Sequence, residues 1–218
     1  MDVFQVIGPV MIGPSSSHTA GAVRLGRLGR AILVGEPREA EFLLHGSFAR
    51  TYRGHGTDRA LVAGLLGFDV DDERVRRALD LARERGLKVS FEERDLGEVH
   101  PNSVLMVIKG EDRGVKVLGS SLGGAQVVVT RIDDFAVEIT GQLPTLVAAY
   151  QDRPGVVAEV TALLADLGIN IASMRVSREG RGRRALMIVE TDEPVPREVI
   201  IGMRAWPVME RVITIDPV

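Results

Sequence analysis

Between Thr145 and Ile215 the apolar residues change period again and again, and no other feature of the chain narrows its fold so far. TLVAAY at 145–150 is β-prone. DRPGVVAEVTALLADLG follows, with Val156, Val157, Val160, Leu163, Leu164 and Leu167 at the offsets of one apolar helix face. Asp152 is placed to cap that helix, Pro154 suits its first turn, and Gly168 suits the left-handed position after its last turn. From Ile169 the period drops to two. INIASMRVS at 169–177 and RALMIVET at 184–191 read as strands joined by the turn-rich REGRGR. A short helix near 196–203 and a last strand, VMERVITI at 208–215, complete a β-α-β-β-α-β order.

That order predicts a ferredoxin-like sandwich over residues 145–218. A chain of 218 residues then leaves room for one further domain. We assign it to residues 1–141, with a linker around Gln142–Pro144. Its start, FQVIGPVMIGPSSSHTAG, reads as a short apolar strand or turn entering a Gly/Ser-rich loop. Ala22, Leu25, Leu28 and Ile32 then mark a helical face. Gly21, Gly26 and Gly29 on the same helix cost propensity, which implies close approach of another backbone or a ligand. EFLLHGS at 41–47 reads as a strand, TDRALVAGLLGF at 57–68 as a helix capped by Thr57, and DERVRRALDLARERG at 72–86 as a surface helix. KVSFEE, SVLMVIKG, KVLGSSLG, AQVVVTRID and FAVEITG read as later strands. The whole chain is α+β.

Composition removes several function classes. Hydrophobic residues at 45% and charged residues at 26% suit a folded soluble protein rather than a disordered one. A net charge of −3 with no long basic run leaves no electrostatic footprint for nucleic acid or an anionic membrane. The first residues carry no basic segment leading into a long apolar core. No apolar stretch reaches the roughly 18 residues of a membrane span, so a cytoplasmic location is expected. The chain has no cysteine and therefore no thiolate with which to hold a metal cluster.

The residues able to do chemistry concentrate in loops. The four histidines are His18 in GPSSSHTAG, His45 in LHGSFA, His55 in YRGHGTD and His100 in EVHPNS, none inside an apolar periodic face. Their spacings are too wide for local ligand pairs, so no histidine metal site is indicated. GPSSSHT brings Ser15, Ser16, Ser17, His18 and Thr19 to the entry of a helix, where hydroxyls and free N–H groups could receive a carboxylate. Equally, Ser17 or Thr19 could be an N-cap and nothing more. GHGTD could hold His55 for proton transfer or be a turn before a capped helix.

Taken in order, GPSSSHTAGAVRLG, LHGSFARTYRGHGTDRALVAGLLG, EVHPNS and GSSLGGAQV resemble the β chain of bacterial iron–sulfur-dependent L-serine dehydratase, also called L-serine ammonia-lyase. The last 70 or so residues are similar to an ACT domain, a small regulatory module of amino-acid enzymes. The first domain resembles an allosteric substrate-binding domain also attached to phosphoglycerate dehydrogenases, although SLGGAQ at 121–126 is less glycine-rich than that module's usual form.

The resemblance implies a division of labour. A four-iron four-sulfur cluster would be held by cysteines of an α subunit, none being bound by this chain alone, and the complex would convert L-serine to pyruvate and ammonia without pyridoxal phosphate. It further implies that His18 and His55 are catalytic at the interface with α. Ser15, Ser16, Ser17 and Thr19 would face the substrate, His100 and Asn102 would belong to the same cleft, and His45 would be structural. In the ACT domain it implies an effector site at Asp152, Arg153, Pro154 and Gly155 with Asn170 and Ile171, and pairing with a second copy. Two readings of other classes remain open on the sequence: a stand-alone serine-sensing regulator, and a pure assembly module. The enzyme reading predicts that the purified chain is folded, colourless and inactive toward L-serine. Absorbance near 400 nm with stoichiometric iron, or pyruvate formation by the chain alone, would contradict it.

Overall fold

The computed structural model of the chain describes residues 10–218, so the apolar start FQVIGP lies outside the described residues. The described residues form two compact units, one running through Asp133 and the other from Asp134 to Pro217.

In the first unit a wide helical turn, Ser16–Ala20, runs directly into α1 (Gly21–Leu33). The expected Gly/Ser loop is therefore helical. Its hydrogen bonds span five residues, from Ala20 N–H to Ser15 C=O and from Gly21 N–H to Ser16 C=O. The cap is Ser15, whose hydroxyl accepts from His18 N–H at 3.1 Å. Ser17 and Thr19 sit inside the turn, and neither is its N-cap. After α1 come β1 (Glu39–Leu44), α2 (Gly46–His55), α3 (Thr57–Leu65), a tight 3-10 turn at Glu73–Arg77, α4 (Ala78–Glu84) and β2 (Lys88–Glu93). Then follow β3 (Ser103–Lys109), β4 (Gly114–Gly123) and β5 (Gln126–Ile132).

The reading of 41–47 as strand is corrected here: the strand ends at Leu44, and Gly46 opens a ten-residue helix. Gly46 has φ +55°, and a Cβ there would meet the Pro101 carbonyl at 2.7 Å. Pro101 C=O accepts from Ser47 N–H, so this approach ties the helix start to the segment before β3. Nor is Thr57 a cap. The residue between α2 and α3 is Gly56, in the left-handed conformation at φ +69°, and Thr57 already belongs to α3.

The strands of this unit lie in the order β2-β1-β3-β4-β5. β1 and β2 are parallel, joined by the helical segment between them, and the other pairs are antiparallel. Val104, Met106 and Ile108 alternate along β3 with less buried neighbours and are fully buried beneath α1. Ala22, Leu25, Leu28 and Ile32 are buried, as their spacing requires. The glycines of α1 explain themselves by contact. A Cβ at Gly26 would run into the Leu61 carbonyl oxygen, and one at Gly64 of α3 would run into that of Val23. The two helices thus cross backbone to backbone, at a distance only hydrogen side chains allow.

The second unit holds β6 (Phe135–Ile139), β7 (Thr145–Gln151), α5 (Val156–Asp166), β8 (Ile171–Arg178), β9 (Arg184–Thr191), α6 (Arg197–Arg204) and β10 (Met209–Ile215). Four of its strands form the sheet β10-β7-β9-β8, the order expected of a β-α-β-β-α-β sandwich. Leu146, Ala148, Tyr150, Met187 and Val189 pack with Val156, Val160 and Leu164 of α5 and with Ile200 and Met203 of α6. β6 lies alongside β8, where Ser177 Oγ donates to the Ala136 carbonyl at 2.5 Å. Gly168 has φ +70° after the last turn of α5. The other end differs from expectation. Gly155, not Asp152, is the cap, and Pro154 precedes the first turn. Leu167, read as part of the apolar face, is exposed.

Two glycines make opposite predictions. Gly64→Ala gains about 1 kcal/mol of helix propensity but forces the α1–α3 backbones apart, at a cost of about 1–3 kcal/mol or more. It should lower the unfolding free energy. Gly54 lies in α2, where a Cβ would meet nothing within 4 Å, so Gly54→Ala should raise stability by about 0.5–1 kcal/mol. Urea unfolding of the two variants checks the pair, and equal signs would refute the packing account.

Candidate functional site

His18 stands at the centre of a small polar cluster. Its Nδ1 is 2.9 Å from Ser17 Oγ and 3.5 Å from Ser15 Oγ, and its Nε2 is 3.1 Å from Ser47 Oγ. Both ring nitrogens therefore meet hydroxyls, which can donate or accept and so serve either neutral tautomer. The ring also makes edge contacts with Phe48, at 5.4 Å between centroids, and with His55, at 4.8 Å.

Local folding explains how these residues meet. The wide turn before α1 carries Ser15, Ser17 and His18, while Ser47 and Phe48 open α2 and His55 ends it. Thr19, almost fully buried, donates its hydroxyl to the His55 carbonyl at 3.1 Å. That carbonyl is one of those a helix C-terminus leaves without an intrahelical partner, so one bond both caps α2 and fastens it to the turn.

The electrostatics favour a neutral His18. Burial, and secondarily repulsion from His55, lower its pKa below the ordinary histidine value. His55 Nδ1 is closed to solvent and has no hydrogen-bond partner among the described groups. Thr57 Oγ1 is likewise buried and unpartnered. Such groups are uncommon in native interiors and concentrate where a ligand or moving proton is accommodated. Asp58, also in GHGTD, has its pKa raised by burial, though its carboxylate accepts from Arg59 N–H at 2.8 Å.

Of the residues singled out in the sequence, Ser15, Ser17, His18, Thr19 and His55 come together. Ser16 contributes its carbonyl to the turn. His100 does not join them: it is exposed, and its Nδ1 accepts from Asn102 N–H at 3.1 Å. Asn102 Nδ2 donates to the Ser121 carbonyl. The link from this segment to the cluster is the Pro101 carbonyl beneath Ser47. His45 Nδ1 accepts from Leu96 N–H at 3.2 Å, pinning a loop. Ser47 is the residue that sequence reasoning missed, because extending β1 through it hid its place in the first turn of a helix.

The proposed effector residues do not converge within one chain. Arg178 of β8 pairs with Ala185, and Gln151 of β7 with Arg184, so Asp152–Gly155 follow the β7 end beside Arg178. Asn170 and Ile171 lie at the other end, where Ile171 pairs with Thr191 and Thr145 with Glu190. A seven-residue strand, about 20 Å, separates the two sets. Asp152 accepts from Gly182 N–H and pairs with Arg178 at 3.2 Å, while Asn170 Nδ2 donates to Asp192 at 2.7 Å. Arg153 is exposed.

Among the described residues no three His, Cys, Asp or Glu side chains converge to hold a metal ion. With no cysteine in the chain, its residues do not fit the iron–sulfur cluster that the resemblance implies. No helix among the described residues is long and apolar enough to cross a membrane.

Comparison with known proteins matches this architecture along the chain. The family description "Serine dehydratase beta chain" matches residues 1–130, and that of the ACT domain matches residues 144–200. A Bacillus subtilis (strain 168) protein named "Probable L-serine dehydratase, beta chain" is 40% identical over 205 residues, covering 94% of this chain and 93% of its own length. The "L-serine dehydratase, beta chain" of Peptoniphilus asaccharolyticus is 39% identical over 210 residues, covering 93% of this chain and 94% of its own. A Methanocaldococcus jannaschii "D-3-phosphoglycerate dehydrogenase" is 27% identical over 94% of this chain but only 39% of its own length. Full-length similarity at this level, with the serine–histidine turn and both units included, shows that the chain belongs to the serine dehydratase beta chain family.

Proposed function

We propose that this chain is the subunit of an L-serine dehydratase that contributes His18 and its hydroxyl cage to the reaction. The observation that carries the reading is a half-buried imidazole whose pKa is lowered by burial, with the Ser17 and Ser47 hydroxyls at its two nitrogens and His55 against its ring. A neutral imidazole can accept a proton, and the fixed ring orientation removes much of the entropy cost of doing so. In the net reaction, L-serine loses its α-proton and its β-hydroxyl as water, and the enamine product tautomerises to an imine. Water then hydrolyses the imine to pyruvate and ammonia, so the water released is balanced by the water consumed.

Within that sequence His18 is the candidate proton acceptor, with Ser47 and Ser17 fixing its plane. His55 assists as a second imidazole in contact with the first. Ser15 and Ser16 supply hydroxyls for the substrate carboxylate, and Thr19, whose own hydroxyl is bound to the His55 carbonyl, keeps the turn rigid. Activation of the poor hydroxide leaving group is assigned to a four-iron four-sulfur cluster on a cysteine-bearing α partner, because this chain offers it no ligands. We assign the complex to the cytoplasm. The ACT unit is proposed to pair with a second copy: the two candidate effector segments sit at opposite ends of one sheet, so a neighbouring module could complete a site that one chain leaves open.

With the α partner present, His18→Ala and His55→Ala should each lower kcat by about 10²- to 10⁴-fold with cluster content unchanged. Ser47→Ala removes one orienting hydrogen bond, worth about 1 kcal/mol, and should cost about fivefold. Near-wild-type turnover in both histidine variants would refute the assignment. The pH profile gives a second check. A base must be unprotonated to act and the His18 pKa is lowered, so the acid limb of kcat/KM should fall below the roughly 6.5 of an ordinary imidazole. Activity should thus persist as pH drops through 6.5. A limb above that value would exclude His18 as the base.

A further inference from the structure

Between α2, α4 and β2 lies a groove of about 730 Å³ whose lining includes none of His18, Ser47 or His55. Its floor is apolar, built from Tyr52 of α2, Leu79 of α4, and Leu87, Val89 and Phe91 in and before β2. Phe91 stacks on the fully buried Phe42 at 5.1 Å between ring centroids and on Tyr52 at 5.9 Å, so the aromatic wall is anchored to the core. Tyr52, Leu79, Val89 and Phe91 are only half-buried, which leaves apolar surface toward the opening.

One carboxylate is buried in this apolar wall. Asp58, in the first turn of α3, is only 9% exposed. Its Oδ1 accepts from Arg59 N–H at 2.8 Å, which satisfies one oxygen; among the described residues no side chain donates to either, and no cationic side chain lies within ion-pair distance. Arg59 and Arg53 attract it from further away. Burial nevertheless outweighs that attraction and the Arg59 bond, and raises its pKa. A buried carboxylate in this condition is costly unless a cation reaches it. The neighbouring cations do not. Arg83 pairs with Asp80 at 3.0 Å, Arg53 donates to the Tyr52 hydroxyl at 3.1 Å, and Lys88 stands exposed at the rim. An apolar slot of metabolite size with one acid inside and cations only outside suits a ligand that carries its own positive charge on an apolar body.

We propose that this groove binds a small organic ammonium with an apolar body, either a simple amine or the α-ammonium of an amino acid, with Asp58 receiving the ammonium and Tyr52, Leu79 and Phe91 holding the body. The site is separate from the proton-transfer role given to His18, and binding to it requires no α partner.

Isothermal titration of the full chain at neutral pH with phenylethylamine, L-phenylalanine and phenylpropionate tests the proposal. Saturable binding of the amine or of the amino acid is expected, and none of phenylpropionate, which has the same body without the ammonium. Tighter binding of L-phenylalanine identifies an amino acid whose carboxylate meets the rim cations, and tighter binding of phenylethylamine identifies a simple amine. Asp58→Asn keeps an acceptor for Arg59 N–H but removes the charge, so Kd should rise by about tenfold or more, the loss of one hydrogen bond to a charged group. Tyr52→Leu removes aromatic contact alone and should raise Kd by about threefold. Binding should be unchanged in His18→Ala and in Arg50→Gln, an exposed arginine outside the groove. No saturable binding of either ammonium, comparable binding of phenylpropionate, or a smaller loss in Asp58→Asn overturns the proposal. If Asp58→Asn does not unfold cooperatively, Tyr52→Leu with its threefold threshold decides. Because His18→Ala is read in the same assay, a failure of the catalytic reading leaves this result unaffected.

Discussion

The backbone contact between α1 and α3 sets the dimensions of everything around it. Gly26 and Gly64 let the two helices meet without intervening side chains. The turn that carries His18 runs without a break into α1, and His55 is one glycine away from α3. The distance between the two imidazoles is therefore fixed by a helix crossing about two turns further along each rod. Neither histidine sits on a free loop. Each is an extension of a rigid element, as a preorganised proton-transfer group requires.

This dependence also explains what could be read from the sequence and what could not. The elements of the β-α-β-β-α-β sandwich were legible in order, because β-prone runs and one apolar helical stripe succeed one another between turn residues, even though β7 and β9 are buried on both faces and β8 on neither. Errors there were confined to the ends of α5. Asp152 looks like a cap, yet it is drawn to Arg178 and Gly182 instead. In the first unit the glycines of α1 correctly signalled a close approach, but not which helix approached. α2 escaped notice because GSFARTYRGH buries little besides Phe48 and Ala49, so it carries almost no apolar stripe. What makes it a helix is tertiary: the Pro101 carbonyl beneath its first turn and the Thr19 hydroxyl on its last carbonyl.

The candidate site was legible in its residue types more than in its geometry. His18, Ser15, Ser17, Thr19 and His55 were marked by clustering of hydroxyls and imidazoles in polar surroundings. Ser47 was lost with the helix that carries it. His100 was drawn in by a neighbouring motif, whereas the structure uses the backbone of Pro101 and leaves the His100 ring on the surface. A pattern of residue types shows where polar chemistry is concentrated. It does not separate a side chain that acts from a carbonyl next to it that supports.

The single glycine between α2 and α3 works as a ruler. Gly56 reverses the chain in one left-handed residue, so there is no slack between the last carbonyl that Thr19 holds and the first turn of the helix that crosses α1. An inserted residue at this junction would rotate α3 by about 100° about its axis and carry Gly64 away from the crossing. The stretch from His55 to Gly64 should therefore tolerate changes of residue far better than changes of length. Its register is inherited as one indivisible block, so recombination between relatives should succeed at the surface strand β2 and fail across this junction.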